Sequence, residues 1–353
     1  MNHDDYYAST AYRSDRLPNQ PASRERPWLK RFSCIRLPWG GTEDLAPVDF
    51  LEEASPEKLR RVEAGKKERE EQLAAGTYIP APYEHVDFHD RHDHERFRFA
   101  VWSKRSHFWL YLLGGGRAFF YLAIVLSLLT YFSSLSLASQ SWKEHLYSSI
   151  LFEAVWIGTP LLCWALGALV VYKFPRLWVK PSRGPLWELN RRSGLVTLFD
   201  YDNNGKYKKH GTIGEISAPF HEFDAYLVSF PDRQGLMMHK LVLGHRYRDI
   251  LIDFGALLSI GPAHQLPCAL WDFIQNYMDT RQPLPDLPRY EEYRHLDPAT
   301  ADYDRLYDRP PRLWIDMGDE LFKAYVRDML IRIDNITTLQ RPNRMARHVE
   351  YVD

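Results

Sequence analysis

The pattern of apolar and charged positions divides the chain sharply. From Ala118 to Gln140 there is no Asp, Glu, Lys or Arg, and Ala154 to Tyr172 is likewise uncharged. At about 1.5 Å per residue, each run is long enough to cross a hydrocarbon core of about 30 Å. The lengths predict two transmembrane helices, residues 118–139 and 154–172, because two such runs rarely sit together in one small water-soluble domain. Pro160 falls inside the second and removes one backbone donor. The triplet Gly114-Gly115-Gly116 precedes the first and predicts a hinge or sharp turn. Aromatic residues gather at the ends: Trp102, Trp109, Tyr111, Trp142, Tyr147, Tyr172 and Trp178. Such rings suit a headgroup layer.

The flanks set an orientation. Residues 141–153 hold one basic residue, Lys143, whereas Arg98, Lys104, Arg105 and Arg117 precede the first run. Lys173, Arg176, Lys180, Arg183, Arg191 and Arg192 follow the second. Positive flanks stay in the cytoplasm, so both termini are expected there, with a small exoplasmic loop between the helices. The localisation expected is a bacterial inner membrane, crossed twice. The first 30 residues are polar and carry no apolar signal-peptide core.

The rest of the chain reads as five further segments. Residues 1–54, rich in Pro, Ser, Arg and Asp, are expected to be a largely disordered extension with a docking strip around Trp28 to Trp39. Residues 55–76 predict a charged helix capped by Ser55, with Pro56 in its first turn and Gly76 at its end. Opposite charges recur four apart at Glu57–Arg61, Glu63–Lys67 and Lys66–Glu70, the pattern of a solvated face. Residues 77–117 form a juxtamembrane segment. Between 181 and 280, short β-rich runs at 186–189, 195–199, 214–219, 225–230, 236–243 and 250–254 predict a cytoplasmic antiparallel meander. Leu266, Leu270, Phe273 and Tyr277 then make one stripe of a helix that closes it. Residues 281–353 predict a proline-rich linker and a helix over about Met317–Asp334 capped by Asp316, then a basic tail. The fold class expected is therefore an α+β membrane protein: a two-helix hairpin, a β-meander with a closing helix, and a C-terminal helix.

Bulk composition hides this division. The 353 residues carry 45 Lys plus Arg against 46 Asp plus Glu, a net charge of −1. That balance gives no general pull toward nucleic acid. Three distant cysteines, Cys34, Cys163 and Cys268, make neither a disulfide framework nor a Cys-rich zinc site.

Candidate chemistry is sparse. His85, His89, His92 and His94, mixed with Asp87, Asp90 and Asp93, offer metal-binding donors, but their spacing matches no HExxH-type or structural site. A solvated or pH-sensitive segment is the plainer reading. Asp200 to Gly205 imitates the start of a calcium loop, yet its twelfth position is Gly211 where a bidentate Glu is required. It reads as a polar turn between strands. Walker, GxSxG and GxGxxG motifs are absent. Cys268, near the start of the closing helix, reads as packing. The expectation is a non-enzymatic protein with no cofactor.

The block PSRGPLWELNRRSGLVTLFDYD, Pro181 to Asp202, resembles an uncharacterised bacterial inner-membrane family, a domain of unknown function often encoded beside type VI secretion effector and spike genes. Ala225 to Gly244 and RPPRLWIDM, Arg309 to Met317, extend the resemblance. It implies two adjacent transmembrane helices followed by a cytoplasmic domain, and an immunity or accessory role toward a secreted toxin. The partners implied are a protein and membrane lipid. The architecture is also similar to bacterial pleckstrin-homology-like membrane proteins, which implies a scaffold or regulator as the alternative; six strands are counted where such a fold wants about seven. The acidic and aromatic stretch holding Tyr290, Tyr293, Asp302, Asp304 and Tyr307 is the candidate partner-binding surface.

Overall fold

The computed structural model describes residues 6–24, 33–80, 84, 86, 88–137, 142–180, 182, 184–200, 214–258 and 260–352. The strands are β1 (Ser23–Arg24), β2 (Ser33–Arg36), β3 (Arg91–His92), β4 (Arg96–Phe99), β5 (Trp187–Asn190), β6 (Leu195–Asp200), β7 (Gly214–Pro219), β8 (Phe223–Pro231), β9 (Met237–His245), β10 (Leu251–Asp253) and β11 (Tyr351–Val352). The α-helices are α1 (Val48–Glu53), α2 (Pro56–Ala74), α3 (Lys104–Leu137), α4 (Trp142–Lys173), α5 (Pro175–Trp178), α6 (Gln265–Met278), α7 (Pro298–Leu306) and α8 (Asp319–Asp334). The chain divides into two compact units: residues 1–78, 90–99 and 185–353, and residues 79–89 and 100–184.

The first unit is α+β. Its antiparallel sheets have the orders β10-β9-β8-β2 and β3-β4-β5-β6-β7, and β1 pairs with β11 in parallel. The strands expected between 181 and 280 are present, but they divide between two sheets rather than forming one meander. Helix α6 supplies the centre: every residue from Pro267 to Met278 is buried. Trp271 meets Trp39 and Phe220, and Phe273 meets Phe50 and Phe97.

Strand β4 was hidden in the sequence. Arg96–Phe99 looks like a basic flank, yet β4 pairs with β5 in the register Phe99↔Trp187 and Arg96↔Asn190. Alternating Arg and Phe is a half-buried strand pattern, and Phe97 is 2% exposed. Residues 100–184 therefore enter the chain between two neighbouring strands of one sheet.

The N-terminal extension is a correction. Its described part is built into the fold: Tyr12, Leu37, Trp39, Leu45, Phe50 and Leu51 lie in the core, and β2 pairs with β8. Trp28 and its neighbours lie outside the described residues, whereas Trp39, at the other end of the expected docking strip, is buried. The proline-rich run 281–290 is likewise no linker, since Leu284, Leu287 and Tyr290 are buried. Helix α2 begins at Pro56 as expected, though Ser55 makes no side-chain cap bond. The residue flanking α8 at its start is Gly318, not Asp316.

The second unit holds two helices long and apolar enough to span a membrane, over Lys104–Ser134 and Ile150–Lys173. Only 17% and 11% of their most apolar windows is buried, so most of the apolar surface has no protein cover. The expected hinge at Gly114-Gly115-Gly116 is continuous helix, and most of the expected loop 141–153 is the first part of α4. The glycines serve packing instead. A Cβ on Gly116 would lie 2.6 Å from the Trp164 backbone nitrogen, and one on Gly167 2.6 Å from that of Leu113. Small residues let two helix backbones approach this closely.

Candidate interaction surface

The block Trp187–Gly194 organises the first unit. Trp187 and Leu189 point into the core, and Glu188 pairs with Arg98 on β4. Asn190 Oδ1 accepts from the Ser193 amide at 2.9 Å, which tightens the β5–β6 turn. Gly194 closes that turn at φ +68°, and a Cβ there would sit 2.4 Å from the Thr10 carbonyl oxygen.

Arg191 is fully buried and donates to the carbonyls of Tyr277, Asp279 (3.0 Å) and Gln282 (2.7 Å). Helix α6 ends at Met278, where carbonyls lose their intrahelical partners. The guanidinium therefore satisfies the C-terminal end of α6, where a positive charge also suits the helix dipole. Its Nε and Nη2 reach Asp297 at 3.1 and 3.2 Å. Asp297 in turn caps α7, accepting from the Thr300 amide at 3.1 Å. Burial alone would raise the Asp297 carboxyl, but the Arg191 charge and its hydrogen bonds hold it below the usual carboxylate range.

A second network ties α7, through Asp304, to the segments on either side of it. Arg294 grips Asp304 at 2.7 and 2.6 Å and also reaches Asp286. Arg309 joins Asp286 to Glu291, and Trp314 Nε1 donates to Asp286 at 2.9 Å. Here burial would raise the Asp286 carboxyl, and Arg309 and Arg294 outweigh it, leaving it low.

This changes the candidate surface. Tyr290 is fully buried and is withdrawn from it; its hydroxyl hydrogen-bonds His92. Tyr293 is half-buried and stacks on His94. The Asp304 carboxylate is taken by Arg294. Asp302 and Tyr307 remain open to solvent. Three residues that the sequence reading missed join them: Leu296, Tyr303 and Leu306, the last 77% exposed. Tyr303 and Tyr307 pack ring to ring at 4.4 Å. The 303, 306, 307 spacing of one helical face was the available signal.

Of the four histidines, His92 and His94 belong to the first unit. His85 lies outside the described residues, and His89 belongs to the second unit. His92 is enclosed by Phe50, Phe97, Tyr277 and Tyr290, and burial pushes its imidazole well below the usual range. Among the described residues, no group of three or more His, Cys, Asp or Glu is placed to hold a metal. Most of the calcium-like loop, from Tyr201 onward, lies outside the described residues. Cys268 is buried, and burial first, with Asp272 second, pushes its thiol up to about 12.

A polar recess of about 250 Å³ opens at the end of α6, lined by Gln275, Asn276, Asp279, Gly40, Thr42 and Arg344 among others. Its groups offer hydrogen-bond donors and acceptors to a polar side chain or small molecule. Comparison with protein-family models, curated proteins and solved structures gives no match.

Proposed function

We propose that the chain is a membrane-anchored protein-binding factor, fixed in a bacterial inner membrane by the α3–α4 hairpin with both termini in the cytoplasm. The first unit binds the partner. The observation that carries this reading is the exposure of Leu296, Tyr303, Leu306 and Tyr307 on and beside α7, a helix tied to its neighbours by the Arg294–Asp304 pair. Exposed aromatic and apolar anchors on a pre-ordered base bind at a low entropic cost. Resemblance of residues 181–202, 225–244 and 309–317 supports a link to type VI secretion, with a toxin effector as the partner and immunity or adaptor as the role.

The test is co-expression of the neighbouring effector gene with the chain and with a Tyr303→Ala, Leu306→Asp, Tyr307→Ala variant. The chain is expected to restore growth, and the variant to lose protection while still reaching the membrane. Equal killing with and without the chain would refute the immunity role.

A second reading is a pleckstrin-homology-like membrane scaffold. It is favoured by strands β5 to β10, which run antiparallel in two sheets and lead directly into buried α6. Recovery of envelope proteins from solubilised membranes, with no effector among them, would select it.

A further inference from the structure

We propose that the groove between α3 and α4 receives a transmembrane helix of another membrane protein, and that Arg117 pairs there with a carboxylate of that helix. This rests on the reading that the hairpin spans a membrane. The groove has a volume of about 480 Å³. One wall is the α3 stripe Leu110, Leu113, Gly114 and Arg117, at i, i+3, i+4 and i+7. The other is the α4 stripe Leu161, Ala165, Ala168 and Tyr172, at i, i+4, i+7 and i+11. Two such stripes frame a trough along the helix pair, and Gly114, Ala165 and Ala168 are small enough for a third backbone to come close. Nothing lies within 4 Å of where a Cβ on Gly114 would be, so that wall is open.

The close approaches of Gly116 to Trp164 and of Gly167 to Leu113 set the register of the antiparallel helices, with Arg117 level with Cys163. Lys173 lies ten residues from Cys163 in one direction and Glu153 ten in the other, about 15 Å each way at 1.5 Å per residue. Residues 154–172 between them are uncharged. The α3 residues at the same levels, about 108–126, hold no Asp, Glu, Lys or Arg except Arg117. From Lys173 to Glu153 is thus about 30 Å, the thickness of a hydrocarbon core, and Arg117 stands at its middle. The groove runs from the Lys173 side to that depth.

An arginine at mid-bilayer is costly without a counter-charge. Arg117 is exposed, its guanidinium lies 5.9 Å from the Tyr121 ring, and among the described residues it makes no hydrogen bond or ion pair. The headgroup layers lie about 15 Å away on either side, so lipid phosphate is not at its level. A second copy of this chain does not supply the charge either. Glu144 and Glu153 are the only acids in α3 and α4, and a copy inserted the same way holds the nearer one, Glu153, about 15 Å off. A carboxylate midway along a different membrane helix meets the requirement, because its two oxygens match the planar guanidinium fork.

The experiment places the full chain in phosphatidylcholine vesicles. The probe is a leucine–alanine helix of about 20 residues, long enough to span, with one Glu at its centre and a dye at one end. A central carboxylate reaches the midplane whichever way the probe inserts. Association is read by energy transfer from the tryptophans of the chain, at probe levels too dilute for self-association. The Glu probe is expected to bind about tenfold tighter than one with Leu at the same position. Arg117→Leu should abolish that difference, and Arg117→Lys should keep part of it. Gly114→Leu should weaken binding of the Glu probe by filling the groove. Equal binding of the Glu and Leu probes, a preference that survives Arg117→Leu, or equal binding of a probe whose Glu is one turn from its end would overturn the proposal. Alkaline carbonate extraction of the chain from membranes separates the two readings. Release of the wild-type chain refutes the membrane reading itself, whereas resistance with no preference for the Glu probe refutes the docking site alone.

Discussion

Arg191 supplies α6 with the C-terminal partner that its own sequence lacks. Replacing it with methionine removes the cation and orphans the carbonyls of Tyr277, Asp279 and Gln282 together, leaving the Asp297 charge buried. Arg191→Met is expected to cost on the order of 3–5 kcal/mol. Asp297→Asn should cost less, because asparagine can still cap α7. Thermal unfolding of the detergent-solubilised variants orders the two, and equal midpoints would remove the capping role. His92 gives a pH prediction with a definite sign. Folding holds its imidazole neutral, while the unfolded chain titrates near 6.5. Above that pH the two states bind equal protons at this site. Below it the unfolded state binds one more, so stability is lost as the pH is lowered, by up to about 1.4 kcal/mol per unit. His92→Phe should flatten the slope between pH 6.5 and 5. Part of the slope should remain, because His94 and His221 are also held low by burial. An unchanged slope would move the effect to other groups.

At the scale of elements, the hairpin was legible because its signal is local: twenty or so residues without a charge have few alternatives. The glycine triplet was misread because glycine usually marks a turn in polar sequence, whereas in an apolar helix it marks a close neighbour. The two roles separate within the triplet. A Cβ at Gly115 meets nothing within 4 Å, while one at Gly116 meets the Trp164 backbone at 2.6 Å. Gly115→Ala is expected to hold or raise the thermal midpoint of the solubilised protein, by the helix propensity of alanine. Gly116→Ala should lower it by forcing the helices apart, and a matched rise in both would place the helices further apart than described. The N-terminal segment failed to show for the opposite reason. Residues 33–51 are ordered by strand and ring contacts with residues some 180 to 230 positions away, such as Cys34↔Val228 and Trp39 with Trp271. No local pattern carries that information. The candidate surface was half legible for the same cause: acidity between 290 and 304 was visible, but its neutralisation by Arg294 and Arg309 was not.

At the scale of the whole molecule, the insertion point of the hairpin has a direct consequence. Phe99 and Trp187 are paired residues of neighbouring strands, and the Leu186 amide donates to the Phe99 carbonyl at 2.7 Å. The two ends of the excursion are thus as close as the ends of a tight β-turn. Replacing residues 100–186 with Asn-Gly should convert the β4–excursion–β5 connection into an ordinary hairpin, since a two-residue turn of that composition between the paired Phe99 and Trp187 matches strand twist. The core clusters of the first unit lose no described member by this, because its buried residues fall in 12–97 and 187–349. The shortened chain is therefore expected to be water-soluble, to unfold cooperatively, and to keep the α+β circular-dichroism signature. The full chain should pellet with membranes and resist carbonate. A shortened chain that aggregates, or that unfolds without a transition, would mean that the first unit depends on the hairpin for its fold. One that folds and still protects cells from the effector would locate the partner-binding function wholly outside the membrane.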